Sequence, residues 1–227
     1  MTIVHDILKQ MPGLGQLQRK FLATLFVTIL VLRGRVNFRT LSRYCDYSER
    51  TIARQLRAPF DWPDFHQRTL LMTLDPDAEL VSAHDGSFLP KSAKQTFGLG
   101  HFFNGCARRA ERGLEMATLA VVDVTRRCAF PLAVAQTPPG EEATQTAQEE
   151  TRVDFYKQQL HAHRHRWPPS INYHCVDGYY AKKTYIDEVV GLDLHAMGTH
   201  LRRDTVIPQW FQASKAAAAS DGHAVHC

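Results

Sequence analysis

Two aspartates in this 227-residue chain have the surroundings of ligands to a hard cation: Asp85 in Ala83-His-Asp-Gly-Ser87 and Asp177 in Cys175-Val-Asp-Gly-Tyr-Tyr180. Each follows a short apolar stretch and is itself followed by glycine. Carboxylate oxygens suit Mg²⁺ (or Mn²⁺), which is commonly held by one or two carboxylates while substrate phosphate oxygens complete its octahedron. A two-metal site of this kind activates the attacking oxygen of a phosphodiester cleavage and stabilises the leaving one. Asp-Gly is also a common turn dipeptide, and the residues alone leave both readings open. The two aspartates are 92 residues apart, so only a fold that lays distant segments side by side makes them a pair.

The elements that must position them start with a helical N-terminus. Apolar residues recur at helical spacing over 3–10 and 16–33, with Ile3, Ile7 and Leu8 on one face and Leu17, Phe21, Leu22, Leu25, Phe26, Ile29 and Leu32 on the other. Asn37 and Ser48 are good N-caps for short helices over 38–45 and 49–57, the first burying Phe38, Leu41 and Tyr44, the second Ile52 and Leu56. Two short helices around the turn Cys45-Asp46-Tyr47 are the parts of a helix-turn-helix. Its second helix, presenting Arg50, Arg54 and Arg57, would enter the major groove of DNA. Charge agrees: residues 1–60 carry a net +7 while the whole chain carries +4, and phosphate contacts supply most non-specific affinity for nucleic acid. A plain helical bundle with a solvated basic face remains the alternative.

Pro59, Trp62 and Pro63, then Asp75-Pro-Asp77, read as a linker over 59–78 that separates a helical module at 1–58 from a strand-rich remainder. Beyond it, 79–83, 114–123 and 129–135 read as strands, 141–165 as a polar helix, 171–176 as a strand, 182–190 as a helix and 194–201 as a strand. Three strands, a crossover helix, a fourth strand, a helix and a fifth strand is the order of an RNase H-like mixed sheet with flanking helices, in which the first and fourth strands are neighbours. The expected fold is therefore α/β, with a helix-turn-helix-like module ahead of that sheet.

The motifs carry a resemblance as well. Ala83-His-Asp-Gly-Ser-Phe-Leu-Pro-Lys-Ser92, followed by Phe97-Gly-Leu-Gly-His-Phe-Phe-Asn-Gly105, resembles the first catalytic block of DDE transposases from bacterial insertion sequences. Val176-Asp-Gly-Tyr-Tyr-Ala-Lys-Lys183 resembles their second block, and Thr199-His-Leu-Arg-Arg-Asp204 the strand after it. The likeness covers roughly 79–204, and order and spacing carry it, since each motif is short. It implies an RNase H-like nuclease domain with Asp85 and Asp177 as catalytic carboxylates and Mg²⁺ or Mn²⁺ ligands. It also implies DNA transposition by phosphodiester cleavage and strand transfer, with transposon ends as partner. The family's third carboxylate is a Glu on a later helix, and 205–227 contains no Glu. The expectation is thus an incomplete domain, C-terminally truncated and impaired in catalysis, with 205–227 a tail foreign to the family. The alternative is a non-catalytic DNA-binding protein or inhibitor derived from a transposase, pairing with itself or with full-length transposase.

Other features narrow the choice. Lys91 and Lys94 follow the first Asp block and Lys182 and Lys183 the second, so both pairs are candidates for DNA phosphate, or else solvated loop lysines. His161, His163 and His165 alternate, which on a helix does not put all three on one face. Five scattered cysteines without a Cys-x-x-Cys pair suggest neither a disulfide framework nor a zinc knuckle. Cys175 reads as a core residue. Gly98-Leu-Gly100 lacks the Gly-Lys-Ser/Thr of a nucleotide loop, so no small-molecule substrate is expected. The longest apolar run, 21–32, falls short of a membrane span, and no secretory signal opens the chain. The expected location is the cytoplasm.

Overall fold

Side-chain caps start three of the five helices in the first 75 residues. A computed structural model describes residues 2–92, 95–139, 151–180 and 182–198, and the chain divides into two units, Met1–Asp75 and Pro76–Cys227. The first contains α1 (Thr2–Gln10), α2 (Gln16–Val31), α3 (Phe38–Leu41), α4 (Glu49–Leu56) and α5 (Trp62–Thr73). Asn37 Oδ1 accepts from the Thr40 amide at 2.8 Å, Ser48 Oγ from Thr51 at 3.2 Å and Asp61 Oδ1 from Asp64 at 2.9 Å. Each cap satisfies a backbone N–H that has no partner inside its helix.

The core of this unit is built from Ile7 and Leu8 of α1, Phe21, Leu22 and Leu25 of α2, Leu41, Ile52 and Phe65. Stacking of Phe26 on Phe65, centroids 4.9 Å apart, fastens α5 to α2. Helix α5 occupies most of the segment expected as a linker. Pro63 stands in its first turn, where the missing N–H costs nothing because that donor lies outside the helical ladder anyway. Proline marks a helix start here, not a break. Helix α3 is also shorter than the expected 38–45: only Leu41 of its three expected core residues is buried, with Phe38 45% and Tyr44 48% exposed. Leu17 and Leu56 likewise face solvent. Among the described residues, no helix is long and apolar enough to cross a membrane.

The second unit is a six-stranded sheet with helices. In chain order it contains β1 (Leu80–Pro90), β2 (Gly100–Asn104), β3 (Arg109–Asp123), β4 (Cys128–Gln136), α6 (Arg152–Arg164), β5 (Tyr173–Val176), α7 (Lys183–Gly191) and β6 (His195–Gly198). The long strand β3 pairs antiparallel with β1 along one edge. Its other edge pairs with β2 over Arg109–Gly113 and with β4 over Met116–Asp123. On the far side of β1, β5 and then β6 add in parallel. Setting β2 aside, the order β4-β3-β1-β5-β6, with three antiparallel strands followed by two parallel ones, is that of an RNase H-like sheet. Strand β2, inside the 97–105 part of the first motif and not expected as a strand, is an added ribbon on that plan.

One face of the sheet is covered. Buried Tyr156, Gln159 and Leu160 of α6 and Tyr185 and Val189 of α7 lie with the inward set Ser82 and His84 of β1, Glu115, Ala117 and Leu119 of β3, and His174 of β5. Alternation along each strand puts Ala83, Asp85, Met116, Thr118 and Cys175 on the opposite face, where none is fully buried. Strand β1 is longer than the expected 79–83, so Asp85 lies within it, not at its end. Helix α6 is described only over Arg152–Arg164. Residues 141–150, Lys94, the segment 199–204 and the expected tail 205–227 lie outside the described residues.

Candidate functional site

Strand register brings the two aspartates together. In the parallel β1/β5 ladder Ser82 pairs with His174, Ala83 with Cys175 and His84 with Val176, a constant offset of 92 residues. The ladder ends there, and Asp85 and Asp177 are the next residues along each segment, close enough for the charge of Asp177 to act on Asp85. Alternation puts Asp85 on the face away from α6 and α7, Asp177 lies just past the end of β5, and both are exposed. Their mutual charge is felt: the Asp85 carboxyl is held above the ordinary carboxylate range, first by partial burial, then by the charge of Asp177, with Glu115 adding a smaller push and the Gly86 amide opposing.

The turn reading fares differently at the two positions. Asp85 sits in the sheet ladder opposite Thr118, with Gly86 opposite Ala117, so no turn occurs there. Gly86 instead provides room. A Cβ at that position would stand 3.2 Å from Cδ of Glu115, whose side chain crosses beside it. Asp177 does make a turn: its Oδ1 accepts from the Tyr179 amide at 2.9 Å, starting the 3₁₀ turn Gly178–Tyr180. A carboxylate with one oxygen in such a bond keeps a second oxygen for a monodentate cation contact.

The basic residues are not gathered in the same way. Lys91 lies six residues beyond Asp85 in sequence and past the end of β1, which places it about 20 Å from Asp85 at about 3.3 Å per residue. The strand thus carries Lys91 away from the carboxylates, and a phosphate it met would lie further along a DNA strand. Lys182 holds its ammonium over the Tyr179 ring, 4.9 Å from the centroid. Lys183 pairs with Asp187 one turn along α7. In the first unit Arg50 and Arg54 are exposed one turn apart on α4, and Arg57 is its C-cap. The connection from α3 to α4, residues 42–48, is longer than the three or four residues usual in a helix-turn-helix. His161 pairs with Glu188 of α7, and Cys175 is half-buried on the open face, not in the covered core.

Behind the carboxylates, on the covered face, lie polar residues that the sequence did not single out. His84 is bonded by both ring nitrogens, to Tyr185 and Gln159, and His174 by both of its own, to Ser82 and Tyr185. Burial lowers the His84 pKa to about 4, partly countered by Gln159, and that of His174 to about 3, with His84 adding to the effect. Both imidazoles are therefore neutral at ordinary pH. The Tyr156 hydroxyl donates to Glu115 Oε1, and burial followed by this contact pushes its ionisation up. The sequence carried no signal for them: Ser82 and His84 alternate with Val81 and Ala83, a pattern that ordinarily turns the polar set to solvent.

No protein-family model matches the chain, and no curated protein matches it. Among solved structures, one likeness is to Endonuclease V of Ciona intestinalis in complex with a 24mer DNA containing an inosine followed by a ribo-adenosine. It has 10% identity and a TM-score of 0.31, covering 65% of this chain and 58% of that one. Another is to piggyBac transposase in a synaptic complex with hairpin DNA, with 14% identity and a TM-score of 0.40, covering 93% of this chain and 42% of that one. The chain thus spans roughly half the length of each neighbour. Strand order and direction, not these likenesses, establish the architecture.

Proposed function

We propose that the chain is a transposase, or a fragment of one, of the DDE type found in bacterial insertion sequences, acting on DNA in the cytoplasm. The observation that carries this reading is the 92-residue register between β1 and β5, which runs to the residues just before Asp85 and Asp177 in an RNase H-like sheet. Two adjacent carboxylates are a fitting donor set for Mg²⁺ or Mn²⁺, whose remaining positions fall to water and phosphate. When bound there, the cation supplies Lewis-acid activation of a phosphodiester. The chain's own part is to hold Asp85 and Asp177 close together at the end of the β1/β5 ladder and to anchor DNA through α4. In this reading Arg50, Arg54 and Arg57 contact DNA, and Lys182 and Lys183 meet phosphate beside Asp177; Lys91 and Lys94 remain candidates from sequence alone. The resemblance of the two Asp blocks to the transposase motifs supports the same reading.

A second reading, which the exposed Arg50 and Arg54 of α4 support equally, is a DNA-binding protein or inhibitor that occupies transposon ends, alone or with full-length transposase, without cutting them. A cleavage assay on supercoiled DNA with Mg²⁺ or Mn²⁺ separates the two. Nicking that is lost in Asp85→Ala supports the nuclease, and DNA binding without nicking in any metal supports the binder.

A further inference from the structure

The covered face of the sheet carries a run of side chains from four elements that the carboxylate reading does not use. Ser82 and His84 of β1, His174 of β5, Gln159 of α6 and Tyr185 of α7 are all buried. Ser82 Oγ lies 2.8 Å from His174 Nδ1, and His174 Nε2 lies 2.9 Å from the Tyr185 hydroxyl. That hydroxyl is 2.9 Å from His84 Nδ1, while His84 Nε2 is 2.8 Å from Gln159 Oε1. The run ends where Gln159 Nε2 donates to the Ala117 carbonyl of β3 at 3.3 Å.

That last bond sets the direction of all the others. A backbone carbonyl only accepts, so Gln159 must turn its NH₂ to Ala117 and its oxygen to His84. His84 therefore carries its proton on Nε2. The imidazole is buried and bonded to no carboxylate, so it is neutral and Nδ1 is bare, receiving the Tyr185 proton. With that proton committed, the Tyr185 oxygen accepts from His174 Nε2–H, and the bare Nδ1 of His174 accepts from Ser82. The opposite polarity fails at the Gln159 end, where two acceptors would face each other in a buried site, whichever way the amide is turned. Ser82 also lies 3.1 Å from the Tyr173 carbonyl, and its single proton is shared between that oxygen and His174.

We propose that this one-way chain makes His84, Tyr185 and His174 positioning residues for the carboxylate pair. The chain spans the β1/β5 seam twice, directly through Ser82 and His174 and again through Tyr185. It does so at Ser82 and His84, three residues and one residue before Asp85, and at His174, three residues before Asp177. Successive side chains of a strand point to opposite faces, so fixing His84 on the covered face fixes Asp85 on the open one. The inference rests on the metal-site reading for what is positioned, but not for the chain itself.

Two measurements on the full ¹⁵N-labelled chain keep those parts distinct. Long-range ¹H–¹⁵N correlation reads the tautomers: both His84 and His174 are expected with the proton on Nε2, and a proton on Nδ1 of either overturns the chain. Titration with Mn²⁺ alone, followed by broadening of the Gly86 and Gly178 amides, reads the carboxylate site. Tyr185→Phe and Ser82→Ala are each expected to weaken Mn²⁺ binding about tenfold, the lower end of what loss of an outer-shell partner costs. Ser82→Thr, which restores the hydroxyl, is expected to bind within about twofold of wild type; a packing role alone would give it no advantage over Ala. Wild-type affinity in both Tyr185→Phe and Ser82→Ala overturns the positioning while leaving the metal site standing. If Tyr185→Phe does not fold, the Ser82 pair decides. No broadening in the wild type overturns the metal reading and the positioning with it.

Discussion

Replacing Asp85 by Asn should make the fold more stable and its cation site worse, and both effects have a size. Two carboxylates about 5 Å apart repel by about 3 kcal/mol at an effective dielectric of about 20 and by about 0.8 kcal/mol in water. Both side chains are exposed, so the screened end applies and Asp85→Asn gains about 1 kcal/mol. That is about 2–4 °C in Tm for a unit of this size. The sign with pH follows from the raised Asp85 carboxyl. Below the usual carboxylate range both folded and unfolded chains are protonated and there is no penalty. As pH rises the unfolded chain ionises first, and the penalty is complete above the folded-state value. The gain therefore appears at pH 7 and vanishes near pH 3. Mg²⁺ reverses the ranking, because a cation at ten times its dissociation constant stabilises the wild type by about 1.4 kcal/mol and does little for the variant. Differential scanning calorimetry at pH 3 and pH 7, with and without Mg²⁺, measures all four corners. A variant with no gain at pH 7, or one that responds to Mg²⁺ as the wild type does, would refute the paired arrangement.

Leu160 of α6 is 0% exposed, so Leu160→Ala should cost about 2–5 kcal/mol in urea unfolding; a loss under about 1 kcal/mol would mean that α6 is not packed on the sheet. A Cβ at Gly113 would stand 2.5 Å from the Leu89 carbonyl and 2.5 Å from the Phe88 ring, so Gly113→Ala should lower Tm and disturb the β1/β3 ladder, and an unchanged Tm speaks against that close approach. His84 and His174 have folded pKa values lowered to about 4 and about 3. Stability should thus be full above the unfolded value of about 6.5 and fall as pH drops toward those values, and acid titration of Tm that is flat from pH 7 to 4 contradicts their burial. If α4 contacts DNA, Arg50→Ala and Arg54→Ala should each reduce the slope of log affinity against log salt by about 0.9, measured by fluorescence anisotropy, and equal slopes exclude phosphate contact.

Periodicity made most of the architecture legible. Helices α1 and α2, the Asn37 and Ser48 caps and the order of the five principal strands all follow from spacing and capping chemistry. Proline misled at Pro63, because a residue that breaks a helix interior is welcome in its first turn. Strand β1 was read short because Asp85-Gly86 looks like a turn, whereas the ladder carries both residues onward to Pro90. The pairing of Asp85 with Asp177 required knowing that β1 and β5 are neighbours, which strand order supplied. The chain through His84, Tyr185 and His174 was invisible because its members are 101 and 11 residues apart and meet only when two helices dock on the sheet.

The two ladders of β1 also differ in how they form. Its pairing with β3 joins eleven residue pairs, beginning only 23 residues apart at Pro90 and Gly113. Its described pairing with β5 joins three, each 92 apart. Closing the longer loop costs about 1 kcal/mol more in chain entropy, with fewer contacts to offset it, so the antiparallel half should assemble first and the β1/β5 seam last. The carboxylates thus sit beside a joint between distant segments, which the Ser82–His174 and Tyr185 hydrogen bonds help to hold. A cation shared between them would act as a rivet, slowing the opening of that joint and raising hydrogen-exchange protection along β5 ahead of any other strand.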